Sequence, residues 1–251
     1  MTREKLEYKI SHSSLLGSWV QMDSLDSAEI LARLNYDFVV LDFEHSNIGL
    51  HRVRDFVLRV ARYECSPWVR IPNADSTLAN LFLDLGIEGI VVANVEEPSE
   101  LERFLNDVSW SPIGSRGVSL NIENDFGETL VEYGNRAKFP IVVPLIENTR
   151  ALLNIDKFLE LDLFGVLIGM YDLSKSFGDP GNISSIEVVN AISLISKHAK
   201  AAGLPWGIHI ANPNLNELQQ LREQGAQLIA YGMDSTFLWH AAKLGKLAST
   251  D

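Results

Sequence analysis

Eight short apolar runs, many of them rich in β-branched residues, recur along the chain: 15–20, 38–41, 68–71, 89–93, 141–146, 164–168, 206–210 and 228–231. Most lack alternating polar residues, which suits parallel strands covered on both faces. The gaps between them carry helical spacing. Val53, Phe56, Val57, Val60 and Ala61 fall at i, i+3, i+4, i+7 and i+8, forming one stripe. Leu215, Leu218 and Leu221 repeat every three residues ahead of Gly225, a helix stop. Strand and helix in alternation predict an α/β fold, and eight such units favour a closed (β/α)8 TIM barrel over an open doubly wound sheet. Two intervals are long: 94–140 carries an irregular glycine-containing loop between helices, and 170–202 carries Gly178-Asp179-Pro180-Gly181-Asn182 before its helix. No linker or low-complexity run divides the 251 residues. We expect one barrel domain over 15–251, preceded by an N-terminal extension over 1–14.

Charge narrows the partners. With 21 Lys+Arg against 33 Asp+Glu the formal net charge is −12, so a nucleic-acid ligand and an anionic membrane surface are not expected. The longest apolar runs, such as 141–146, fall far short of the ~20 residues a membrane span needs. Cys65 is alone and cannot form an internal disulfide, and the charged residues 1–7 lead into no apolar signal core. These features point to the cytoplasm.

Chemistry in such a barrel gathers on the loops after the strands. Run two ends in Asp42-Phe43-Glu44-His45, Arg70 lies at the end of run three, Glu147 follows run five directly, and Asp172 follows run six. A histidine, an arginine and two carboxylates therefore converge on one rim. Each has a plainer reading alone. Asp172 could cap a short helix, Arg70 could be a structural ion partner, Glu147 could favour the dipole of a following helix, and His45 could be a solvated turn. His209, in run seven, reads equally as a core or a mouth residue. Cys65 has no adjacent base. Neither GxSxG, a Walker A loop nor GxGxxG after a strand is present. No His/Cys spacing fits zinc, whereas two carboxylates with room for water and substrate suit Mg²⁺ or Mn²⁺.

Several segments together resemble the HpcH/HpaI aldolase family: Leu41-Asp42-Phe43-Glu44-His45, Val69-Arg70, Leu83-Asp84-Leu85-Gly86, Pro112-Ile113-Gly114-Ser115-Arg116-Gly117, Ile146-Glu147 and Gly169-Met170-Tyr171-Asp172-Leu173-Ser174. The resemblance runs from about Leu16 to Ala242. It implies a barrel of the phosphoenolpyruvate/pyruvate type with a swapped C-terminal helix, assembled as a homo-trimer or homo-hexamer. The implied activity is divalent-metal-dependent (class II) aldol cleavage or formation of 4-hydroxy-2-keto or 2-keto-3-deoxy sugar acids, with pyruvate and an aldehyde as the small-molecule partners. The cofactor would be Mg²⁺ or Mn²⁺, with Co²⁺ an option. By position, Glu147 and Asp172 match metal carboxylates, Arg70 the arginine on the pyruvate keto oxygen, and His45 the base. Asp42 matches a carboxylate near that histidine, and Asp84 one that reaches the site from a neighbouring subunit. The backbone around Tyr171 and Asp172 matches the segment against the pyruvate carboxylate. Met170, Leu145 and Val92-Ala93-Asn94 depart from the usual pattern, all near the mouth, and leave the acceptor open.

The residues suit that chemistry. Deprotonating a pyruvate methyl near neutral pH requires a firmly held enolate charge, which a Lewis acid and a fixed arginine supply. A histidine titrates near the working pH and suits proton shuttling. Alternatives on the same site are a citrate-synthase-like condensation or a decarboxylation of oxaloacetate type. A barrel that binds a keto acid without turnover is a third. A Schiff-base aldolase needs a buried lysine, and Lys138, Lys157 and Lys175 are all poorly placed for it.

Overall fold

The computed structural model describes residues 3–135 and 140–247. Helix α1 (Arg3–Ile10) precedes β1 (Leu15–Val20), α2 (Leu25–Arg33), β2 (Phe38–Asp42), α3 (Val53–Val60), β3 (Ser66–Ile71), α4 (Ser76–Asp84) and β4 (Gly89–Val92). Then come α5 (Pro98–Val108), α6 (Leu130–Asn135), β5 (Ile141–Ile146), α7 (Thr149–Leu153), α8 (Ile155–Leu159) and β6 (Val166–Ile168). The chain finishes with α9 (Met170–Ser176), α10 (Ile186–Ala202), β7 (Trp206–Ile210), α11 (Leu215–Glu223), β8 (Leu228–Met233) and α12 (Asp234–Leu247). The eight strands form one closed parallel barrel in sequence order, with β8 paired to β1. All eight apolar runs became strands. Run six starts two residues later than expected, at Val166, and run eight extends to Met233, carrying the barrel rim two residues further.

Local chemistry explains the helix starts. Ser24, Asp75, Asn148, Ser185 and Asn214 each precede a helix, and each side-chain oxygen accepts a backbone N–H from the first turn. The stripe on α3 faces inward, with Val53, Phe56, Val57 and Val60 all buried. One apolar cluster fills the space between sheet and helices, and a second fills the barrel lumen. Leu6 and Ile10 of α1 belong to the second cluster, so the segment ahead of β1 closes the barrel floor.

Within the lumen, glycines make room for rings. Phe38 and Trp68 stack with centroids 4.2 Å apart. A Cβ on Gly17 would lie 2.1 Å from the Phe38 ring, and one on Gly89 would lie 2.6 Å from the Trp68 ring. Gly17→Ala should therefore lower unfolding free energy by about 1–3 kcal/mol through overpacking, as urea titration would show. A wild-type midpoint would mean the rings have room to shift.

Candidate active site at the carboxyl rim

The parallel register sets Asp42, the last residue of β2, directly beside Arg70 of β3. The pair is bidentate: Arg70 Nε donates to Asp42 Oδ1 at 2.8 Å and Nη2 donates to Oδ2 at 2.6 Å. Asp42 is fully buried. It also accepts from Gln21 Nε2 at 2.8 Å and from the Glu44 and His45 amides at 3.0 and 3.3 Å. Burial pushes its carboxyl up, but the Arg70 bonds and charge, with Gln21 and the Glu44 amide, outweigh that and hold it below the usual range. With its lone pairs engaged in this way, Asp42 positions Arg70. The third arginine nitrogen, Nη1, meets Glu44 Oε2 at 3.0 Å, and the guanidinium carbon stands 6.0 Å from the Trp19 ring centroid. A guanidinium locked on both edges is rigid, as electrostatic catalysis requires.

Glu147 follows the last residue of β5 and is buried. Asn148, not Glu147, caps α7, and the Glu147 carboxylate is held instead from the loop after β4. Its Oε1 accepts the Asn94 amide at 2.6 Å. Asn94 has φ +53°, a left-handed turn, and its side chain donates to Glu44 Oε1 at 2.8 Å and to the Pro72 carbonyl at 3.0 Å. Burial pushes the Glu147 carboxyl up to about 7; the Asn94 amide and Arg70 oppose the rise, while like charge on Glu44 and Asp172 adds to it. Gly169 lies against this group, and a Cβ there would fall 2.7 Å from Glu147 Cβ and 2.8 Å from Oε2. Asp172 is the third residue of α9, behind Gly169, and so does not cap that helix. Its side chain is half-exposed, with Lys175 Nζ 3.7 Å away.

His45 lies mostly exposed on the rim, its Nε2 3.8 Å from Glu44 Oε2. His209 stacks on Trp19 at 4.4 Å between centroids and donates from Nε2 to the Gly232 carbonyl at 3.0 Å. Desolvation lowers its pKa to about 4, with Arg70 adding to the fall and the Gly232 bond and Asp42 opposing it, so His209 is a neutral structural group. Asp84 is elsewhere: at the end of α4 it accepts from Arg116 Nη2 at 2.7 Å and Asn121 Nδ2 at 2.8 Å. Within one chain it braces the 109–121 loop, outside the mouth. Tyr171 is half-exposed beside a cavity of about 440 Å³ that opens between α9 and the segment from β7 into α11.

Sequence reading missed Glu44, Gln21, Asn94 and Gly169. Glu44 stood inside a noted segment and was passed over for its neighbour His45. Asn94 stood in a segment noted only as a departure near the mouth, and its role was not readable because it comes from its backbone amide and a left-handed turn. Lys157 is exposed on α8, and Lys175 is exposed within α9. Lys138 lies outside the described residues.

Among the described residues no group of three or more His, Cys, Asp or Glu side chains forms a metal cage. Two carboxylates nevertheless suit a hard cation that keeps positions for water and substrate. Four carboxyl groups, Asp42, Glu44, Glu147 and Asp172, share two cations, Arg70 and the Lys175 ammonium beside Asp172, so the acids outnumber the cations in a donor set that suits a divalent ion.

The profile of the HpcH/HpaI aldolase/citrate lyase family matches residues 15–241. The chain belongs to that family. The hydroxypyruvate/pyruvate aldolase of Sagittula stellata is 33% identical over 229 residues, covering 90% of each chain. The 4-hydroxy-2-oxovalerate aldolase of Rhodococcus jostii is 31% identical, covering 89% of this chain and 86% of that one. The crystal structure of an HpcH/HpaI aldolase from Desulfitobacterium hafniense superposes with TM-score 0.90 at 22% identity, covering 100% and 97% of the two chains. This HpcH/HpaI family member is an aldolase-type carbon–carbon lyase on a (β/α)8 barrel. Among its described residues no helix is long and apolar enough to cross a membrane.

Proposed function

We propose that the protein cleaves, and in reverse forms, 4-hydroxy-2-keto acids or 2-keto-3-deoxy sugar acids, releasing pyruvate and an aldehyde through a pyruvate enolate. The observation that carries this reading is the fixed Arg70 guanidinium at one mouth with the buried Glu147, in a group of carboxyl side chains that outnumbers its cations. The relatives named for pyruvate and 4-hydroxy-2-oxo acids support the same substrate class. Glu147 and Asp172 would hold a divalent cation, Mg²⁺ or Mn²⁺ with Co²⁺ as a substitute, whose chemistry when bound is Lewis-acid polarisation of the keto group. Arg70 places a second fixed positive charge for the enolate oxygen. His45 takes the C4 hydroxyl proton in cleavage and returns it in synthesis, with Glu44 beside it. The Tyr171–Asp172 backbone would receive the substrate carboxylate. The assembly is a homo-trimer or homo-hexamer, in which Asp84 would serve a neighbouring mouth. Support comes from α12, whose Leu238, Trp239 and Leu244 are exposed on their own barrel. A cytoplasmic setting accords with the lone buried thiol of Cys65, which burial pushes up to about 12.

Pyruvate release from a panel of 4-hydroxy-2-keto acids, coupled to lactate dehydrogenase, tests the reading. Turnover should need a divalent ion and vanish with EDTA. His45→Ala should lower kcat by about 10²–10⁴-fold with the metal requirement kept. Release that persists in EDTA would contradict the cation. Gly169→Ala, which crowds buried Glu147, should cost about 10²-fold in kcat/KM together with about 1–3 kcal/mol of stability from overpacking. Unchanged kinetics there would show that Glu147 does not need its present position.

A further inference from the structure

The cavity beside Tyr171 differs in chemistry from the rest of the mouth. Its walls combine apolar side chains such as Ile210 and Leu215 with three amides, Asn212, Asn214 and Asn216, and one carboxylate, Glu217. Among the described residues no lysine, arginine or histidine lines it. Asn214 Oδ1 is engaged in capping α11, where it accepts the Asn216 and Glu217 amides at 3.1 and 3.3 Å. Asn212 Nδ2 stands 3.4 Å from the Tyr171 hydroxyl, which ties the cavity wall to the turn that carries Asp172. The Glu217 carboxylate is only partly exposed. An acid in the first turn of α11 also complements that helix's dipole, but this accounts for Glu217 alone and not for a cavity without a cation.

A ligand group in such a cavity meets hydrogen-bonding amides, a hydroxyl and one negative charge. Hydroxyl groups satisfy that set, because they donate to a carboxylate and exchange bonds with amides. An anionic group would place two like charges in one partly desolvated space and leave its own charge unpaired. We propose that this cavity is the acceptor subsite and selects a neutral, hydroxyl-bearing aldehyde over one ending in a carboxylate or phosphate. The inference rests on the enolate reading above and deepens it. Glu217 is the specificity-determining residue: its charge excludes anionic acceptors, and it takes no part in forming the enolate.

The test compares two three-carbon acceptors that differ in a single end group, glyceraldehyde and tartronate semialdehyde, in addition to pyruvate by the metal-loaded enzyme. Exchange of the pyruvate methyl protons in D2O, followed in parallel, reports enolate formation with no acceptor present. The wild type should favour glyceraldehyde in kcat/KM by at least about tenfold, roughly the effect of 1.4 kcal/mol of charge repulsion. Glu217→Gln keeps the side-chain shape and hydrogen bonding, and should raise kcat/KM for tartronate semialdehyde until the preference largely disappears, with methyl exchange unchanged. Exchange accompanied by parity, by a preference for the anionic acceptor, or by a ratio that Glu217→Gln leaves unmoved would overturn the subsite and spare the enolate reading. Absence of exchange would remove that reading and the subsite with it.

Discussion

Arg70→Ala is expected to lower unfolding free energy by about 3–5 kcal/mol and turnover by about 10²–10³-fold. The two losses share a cause. Asp42 is fully buried and holds the Nε–Nη2 edge of the guanidinium, so truncating Arg70 leaves a desolvated carboxylate with only Gln21 and two amides. The same truncation takes away the charge aimed at the enolate oxygen. Arg70→Lys separates the components, since it restores a cation but not the fork that spans Asp42 and Glu44. It should recover part of the stability and little of the rate. Neutralising both partners, with Arg70→Met and Asp42→Asn together, should recover stability further while the rate stays low, because a buried ion pair stabilises little relative to a well-packed neutral pair. Chemical denaturation beside pyruvate-release kinetics reads both quantities. A stability loss below about 1 kcal/mol for Arg70→Ala would mean that the pair is not buried in solution.

Acid should weaken the fold through His209. Its folded pKa of about 4 lies below the ordinary histidine value of 6.5, because desolvation beside Trp19 and the Arg70 charge disfavour the imidazolium. Between these values the unfolded chain binds a proton that the folded chain does not. The stabilising contribution is therefore complete above pH 6.5 and lost as pH falls toward 4, amounting to up to about 3 kcal/mol. Asp42, whose carboxyl lies below the usual range, adds a further loss at still lower pH. His209→Gln retains a donor for the Gly232 carbonyl and should flatten the slope between pH 6.5 and 4. Equal slopes for variant and wild type would show that His209 titrates normally in the fold.

The barrel was legible because its signal is repetitive. Eight β-branched runs separated by helical stripes leave few architectures, and each run carries enough buried area to form a strand whatever its exact ends. The rim was legible for residues set by strand position: Asp42, Arg70 and Glu147 occupy or directly follow strand ends, so counting along the strands placed them. Pairing was not legible. That Asp42 is saturated by Arg70, and so serves as a brace, depends on the register between β2 and β3. Asn94 grips Glu147 through a backbone amide that any residue but proline possesses, and only its left-handed conformation turns that amide inward. Asp84 matched a motif, yet its contacts within the chain are to Arg116 and Asn121, a side-chain pairing that loop sequence does not encode in advance. His209 was ambiguous in sequence because a strand histidine is chemically open until its ring partners are known; Trp19 and the Gly232 carbonyl decide it.

Every catalytic step above depends on the mouth stabilising a pyruvate enolate. Proton NMR of pyruvate in D2O tests it without any assumption about the aldehyde. With Mg²⁺ or Mn²⁺ the methyl signal should decay by exchange. EDTA should stop the decay, and so should Glu147→Ala, which removes the buried carboxylate at the centre of the site. Exchange that continues in both controls would contradict the account, as would a methyl signal that never decays with any metal.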